Sequence, residues 1–164
     1  MAKMNCSYDD TQEQYYSQWW WDMNIGQGRS REDYHLPTEH KYQVDLANYD
    51  TLKAYFVTKE YDYSCTVDYL VPPMRPFAVP EDSVYGGQVV FNGVECDRWT
   101  YTYDYETHHW ITDYWVTNTG NYYYPMKMQY SGNQRPITVI FTSFVPGPQE
   151  ESTFEVNPNW NCNA

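Results

Sequence analysis

The chain has 164 residues, enough for one domain with its own core, and carries 22 acidic against 10 basic side chains for a net charge of −12. So acidic a chain does not neutralise phosphates, which argues against a nucleic-acid partner and against anionic membrane surfaces. Its 19 tyrosines, seven tryptophans and six phenylalanines accompany a mean hydropathy of −0.81, and a ring content of that order argues against disorder.

No apolar run reaches the length of a bilayer, so no transmembrane segment is expected. "MAKMNCSYDD" lacks the charged head and apolar stretch of a secretory signal. The four widely spaced cysteines, the sequon Asn5-Cys6-Ser7 and the few lysines instead suggest a mature secreted or lumenal domain, glycosylated at Asn5. The competing reading is four reduced core cysteines in the cytosol. Four cysteines allow three pairings, and the spacing does not choose among them.

Period-2 alternation runs almost end to end. Tyr15, Ser17, Trp19, Trp21 and Met23 alternate with Tyr16, Gln18, Trp20 and Asp22, and "NIGQGRS" supplies a glycine turn. "RSREDYHL" and "KYQVDLANY" follow as strands, the second with Tyr42, Val44 and Leu46 on one face. "ANYDT" reads as a tight turn into "LKAYFVTKEY", with Cys65 just beyond. Residues 69–83, "YLVPPMRPFAVPEDS", carry four prolines and form a crossover. Its Leu70, Val71, Met74, Phe77 and Val79 predict packing on the sheet.

Asn92-Gly93 joins two strands in "VYGGQVVFNGVECDRWTYTYDYE", a strong two-residue hairpin signal. "HWITDYWVTN", "YYYPMKMQY" and "ITVIFTSFV" continue the pattern, with Tyr122, Tyr124, Met126, Met128 and Tyr130 assigned to one side. Residues 146–164 form an ordered tail ending near Cys162. The expected fold is a single mainly-β domain over 1–164, an antiparallel sheet of about nine or ten strands.

Chemistry is sparse. His108 and His109 are adjacent, so on a strand they point to opposite faces and cannot share a metal. No zinc spacing, nucleophile elbow or phosphate loop is present. Asp104 and Glu106 alternate with tyrosines, as on a solvated outer face rather than in a glycosidase cleft. No metal site and no cofactor are expected, a zinc or iron site assembled from distant residues being the lesser alternative; calcium, drawn by the acidic surplus, is harder to exclude. The strongest local feature is a one-sided ladder of rings, Trp99, Tyr101, Tyr103 and Tyr105, beside the adaptable Met126 and Met128.

The order "YSCTVDYLVPPMRPFAVPEDSVYGG", "NGVECDRW", "HHWITDYWV", "YYYPMKMQY" and "FTSFVPGPQEESTFEVNPNWNC" resembles the ependymin-related proteins. "WWWD", "RSREDYH" and "NYDTLKAYFV" extend the likeness over most of the chain. The resemblance implies a strongly curved antiparallel half-barrel with an apolar pocket, as in bacterial lipoprotein carriers. It implies a secreted or lysosomal glycoprotein, often dimeric, that binds lipids or other apolar ligands and takes part in cell adhesion. It also implies a Cys65–Cys162 disulfide, leaving Cys6 for Cys96. The family's extra cysteine near the Tyr-Pro strand is absent, "NYYYP" standing there, and the face is richer in tyrosine than in aliphatic residues. Such a face suits an amphipathic, aromatic or sugar-like ligand.

The expectation is therefore a secreted, non-enzymatic binding protein with an apolar or amphipathic ligand. Trp99, Tyr101, Tyr103, Tyr124, Met126 and Met128 line its concavity, and Trp110 or Trp115 closes one side. The alternative is an extracellular structural or adhesive protein that self-assembles through sheet edges and aromatic faces, with calcium as an aid.

Overall fold

A computed structural model describes residues 2–10, 13–23, 28–36, 41–70, 78–105, 108–118, 123–132 and 136–162, with backbone alone at 2–10, 13–15, 105 and 108. Its strands are β1 (Ala2–Asp10), β2 (Glu13–Asp22), β3 (Arg29–Leu36), β4 (Lys41–Asn48), β5 (Lys53–Lys59), β6 (Tyr63–Tyr69), β7 (Val84–Phe91), β8 (Val94–Tyr105), β9 (His108–Asn118), β10 (Tyr123–Gly132) and β11 (Ile137–Pro146). Two 3-10 turns follow, at Glu151–Phe154 and Pro158–Trp160. The protein is mainly β and antiparallel, as the alternation predicts. Among the described residues there are eleven strands rather than nine or ten, the additional ones being β1 and β6, where Tyr63, Cys65, Val67 and Tyr69 alternate with Ser64, Thr66 and Asp68. The strand segments gather into two compact units, one holding β2 to β6 with the tail and the other holding β7 to β11.

In the first unit, β2, β3, β4, β5 and β6 pair in chain order. Asn48 makes the β4–β5 turn, its Oδ1 accepting from the N–H groups of Asp50 and Thr51. Directly opposed residues share a face, so Arg31, Leu46 and Tyr55 form one row, and Asp33, Val44, Val57 and Cys65 the next. The tail covers this face. Phe154 and Trp160 are buried with Val44, Leu46 and Val57, and Trp20, Tyr42, Tyr55 and Tyr63 pack around them. A disulfide joins Cys65 on β6 to Cys162, with the Cα atoms 5.0 Å apart.

Two arginines of β3 fasten the tail. The Arg29 guanidinium grips Glu151 through both terminal nitrogens, pairs with buried Asp22 at 3.1 Å, and lies over the Phe154 ring. Its hydrogen bonds hold the Glu151 carboxyl below the usual range. Arg31 donates to the Thr153 carbonyl at 3.0 Å and sits between the rings of Trp20 and Trp160.

In the second unit, β7, β8, β9, β10 and β11 pair in chain order. Asn92 and Gly93 both take positive φ, 50° and 78°, the two-residue turn that matches strand twist. Gly132 has φ 115° and stands opposite Trp110 on β9, where a side chain would meet the His109 carbonyl. On one face of the unit Tyr114, Val116, Met128, Val139 and Phe141 are buried, and Cys96 is buried on the other.

The pairing expected between Cys6 and Cys96 is corrected. Cys96 is a free, buried thiol whose Sγ lies 3.6 Å from the Val94 carbonyl, and burial pushes its pKa up. The side chains of Cys6 and of the sequon's Asn5 lie outside the described residues. Residues 71–77 of the expected crossover and residues 106–107 lie outside them too.

Candidate functional site

The aromatic ladder exists, and strand register decides which expected residues join it. Trp99 stands opposite Tyr114, which stands opposite Met128, which stands opposite Val139. Tyr101 and Thr112 lead to Tyr130 in the next row, and Tyr103 faces Trp110 in the one after. Trp99, Tyr101, Tyr103, Trp110 and Met128 therefore share one face. The rings of Tyr101 and Tyr103 stack with centroids 6.4 Å apart, and Tyr85 packs on Trp99 at 4.9 Å.

Three expected residues do not join that face. Trp115 pairs with Arg98 and Lys127 on the opposite side. Two residues on one strand separated by an odd number of positions cannot share a face, so Trp110 and Trp115 divide. A β-bulge between Pro125 and Lys127 shifts the β10 register. Tyr124, opposite Thr117, falls on the Trp115 side and packs edge-on against Phe144 at 4.8 Å. Met126 occupies the bulge itself, outside either ladder.

The Trp115 side carries a cluster of charged and polar groups beside its rings. Arg98 donates to Asp113 Oδ1 at 3.0 Å, as does Thr100 at 2.5 Å. Arg98 and Lys127 both stand over the Trp115 indole, at 5.5 and 4.2 Å. Asp104, exposed at the end of the sheet, contacts His109 Nδ1. Among the described residues no group of three or more His, Cys, Asp or Glu side chains converges to hold a metal ion.

On the Trp99 face lies a cavity of about 400 Å³, lined by Ala78, Val79, Pro80, Glu81, Trp99, Val116 and Tyr123. That is room for a small organic ligand. One floor residue, Trp99, belongs to the expected set. Val116 and Tyr123 belong to the same face by register, since Tyr123 opposes Asn118 on β9. The wall Ala78–Glu81 is the end of the crossover, fixed by a turn in which the Ser83 N–H donates to the Pro80 carbonyl at 3.0 Å. Expecting the crossover to pack on the sheet was the available signal for these wall residues.

A smaller cavity of about 200 Å³ opens on the first unit, where Glu32 and Asp45 stand opposite each other between Trp19 and Phe56. Burial raises the Asp45 pKa. Neutral donors hold both carboxylates: Ser17 and Tyr34 donate to Glu32 at 2.7 and 2.8 Å, and Gln43 donates to Asp45 at 3.0 Å. Such a saturated pair is suited to holding the strands in register rather than to chemistry.

Fold and cavity together define a class, an antiparallel mainly-β protein with an apolar pocket walled by a proline-rich crossover. A solved structure of an uncharacterised conserved protein from Thermus thermophilus is similar, with TM-score 0.63 at 9% identity over 96% of this chain and 85% of that one. At that identity the likeness shows the fold alone. LprF from Mycobacterium bovis matches with TM-score 0.45 at 8% identity over 91% of this chain and 88% of that one. No protein-family model matches the chain, and no curated protein matches it by sequence.

Proposed function

We propose that this is a non-enzymatic binding protein that holds an apolar or amphipathic small molecule in the cavity against Trp99. The observation that carries the reading is the cavity itself, where among the described lining residues six are apolar or aromatic and one, Glu81, is charged. Tyr123 offers a ring with a polar tip, which suits an amphipathic occupant. The Cys65–Cys162 bond favours an oxidising compartment, outside the cell or in a lumen. It is also the bond that the ependymin-related resemblance implies, and it supports kinship with that family. Among the described residues no helix is long and apolar enough to cross a membrane.

Native mass spectrometry of protein purified from its source tests this directly. A bound small molecule is the expected result, lost when Ala78→Trp fills the cavity of the folded protein. An apo mass, with unchanged tryptophan fluorescence across a panel of amphiphiles, overturns it.

One observation favours self-assembly as a second reading. Strand β7 pairs with β8 on one side, carries no charge or proline over Val84–Phe91, and exposes Val84 by 70% and Val90 by 74%. Such an edge invites pairing with another strand. Light scattering behind size exclusion decides: a strict monomer removes the reading, and assembly that survives chelator removes calcium from it.

A further inference from the structure

We propose that the Trp99 cavity selects ligands by charge, taking amphiphiles with a cationic or neutral head, amines above all, and rejecting carboxylates and phosphates. This deepens the reading of the cavity as a ligand site and rests on it. Among the described residues the charges nearest the cavity are acidic. Glu81 is the charged one among the described lining residues, and the Pro80–Ser83 turn holds its backbone at the wall. Asp97 stands opposite Val116 on the same face, so a second carboxylate flanks the cavity floor. The Tyr85 hydroxyl donates to one oxygen of Asp97 at 2.9 Å, fixing the carboxylate's position beside Trp99.

The described bases of this unit are elsewhere. Arg98 and Lys127 project from the opposite face of the sheet, both stacked on Trp115, and Arg98 is also paired with Asp113. An anionic head in the cavity would meet Glu81 with no described cation lining the wall. An ammonium head would meet the carboxylate of Glu81 and the face of an indole, two groups that attract the same charge. The chain's net charge of −12 adds to the bias from a distance, but salt screens that contribution more strongly than a contact inside the cavity.

Three probes with one tail decide it: dodecylamine, dodecanol and dodecanoate, each below micelle formation at neutral pH and 0.15 M salt, followed by tryptophan fluorescence. The expected order is amine, then alcohol, then carboxylate, with amine over carboxylate by about tenfold in Kd. Glu81→Gln is expected to weaken amine binding by about threefold and leave the alcohol unchanged. Glu155→Gln, the same charge loss in the exposed tail, leaves the amine unchanged. If dodecanoate binds as tightly as the amine, charge selection is wrong while the cavity remains a ligand site. If Glu155→Gln acts as strongly as Glu81→Gln, the preference is bulk attraction and the proposal falls. If none of the three binds, the ligand-site reading fails and takes this one with it.

Discussion

The Arg29 guanidinium stands 4.4 Å from the centre of the Phe154 ring, in contact with a residue 125 positions later in the chain. The same group pairs with Asp22, whose side chain is 0% exposed, and with Glu151. One side chain therefore joins β2, β3 and the tail. Arg29→Lys keeps the charge but cannot present a planar fork to two carboxylates while stacking on a ring. We expect it to cost about 3 kcal/mol in urea unfolding, because a buried ion pair loses its geometry. A loss below about 1 kcal/mol would place this contact among ordinary surface pairs.

The Cys65–Cys162 bond joins residues 97 positions apart in sequence. Chain entropy makes so long a loop worth up to about 4.7 kcal/mol, with native packing deciding how much is realised. Replacing both cysteines by serine is expected to lower Tm and to raise the fluorescence response of Trp160 to an aqueous quencher, since the tail loses its anchor on β6. Unchanged Tm and quenching would show that Arg29, Arg31 and the buried rings hold the tail unaided.

The face expected to carry rings was legible in residue order, because Trp99, Tyr101 and Tyr103 lie two apart and a strand places such residues together. The Asn92–Gly93 turn was legible for the same local reason. Of the two candidates for closing the concavity, register puts Trp110 on the ring face and Trp115 on the other, a division the same parity rule makes. Tyr124 and Met126 failed differently: the bulge at Pro125–Lys127 inserts one residue into the alternation, and nothing in "YYYPMKMQY" beyond its proline marks it. The cavity wall at Ala78–Glu81 was out of reach of periodicity, because a crossover has no repeat from which to read a facing direction. The tail's role had the same origin: Phe154 and Trp160 are single rings in an aperiodic segment, and long-range packing alone gives them a core position.

Gly132 closes against its neighbour strand in a way no other residue can copy. A Cβ there would lie 2.0 Å from the His109 carbonyl oxygen, and φ is 115°. Both the contact and the backbone conformation exclude alanine. Gly132→Ala is expected to destabilise by about 3 kcal/mol. The change should appear first as lost amide protection at Trp110 and Ile111, which oppose Gly132 and Ser131. Gly93→Ala, at a turn with nothing within 4 Å of the added methyl but φ 78°, is the milder comparison. Equal losses in the two would remove the steric account of Gly132.

Tyr42 links the core of the first unit to alkaline pH. Burial, and the hydrogen bond its hydroxyl donates to Asp33 at 2.6 Å, push its pKa from 10.0 up to about 12. Folding thus favours the neutral phenol. The stability this contributes is fully present below pH 10 and is lost as pH rises towards 12. Tyr42→Phe lacks the hydrogen bond and should be less stable than the parent by about 1 kcal/mol at pH 8. Because phenylalanine does not ionise, that gap should close as the parent's Tyr42 is driven to ionise above pH 10. Urea midpoints of both proteins at pH 8, 10 and 11 give the comparison, and a gap that stays constant across this range would mean that Tyr42 titrates no differently folded than unfolded.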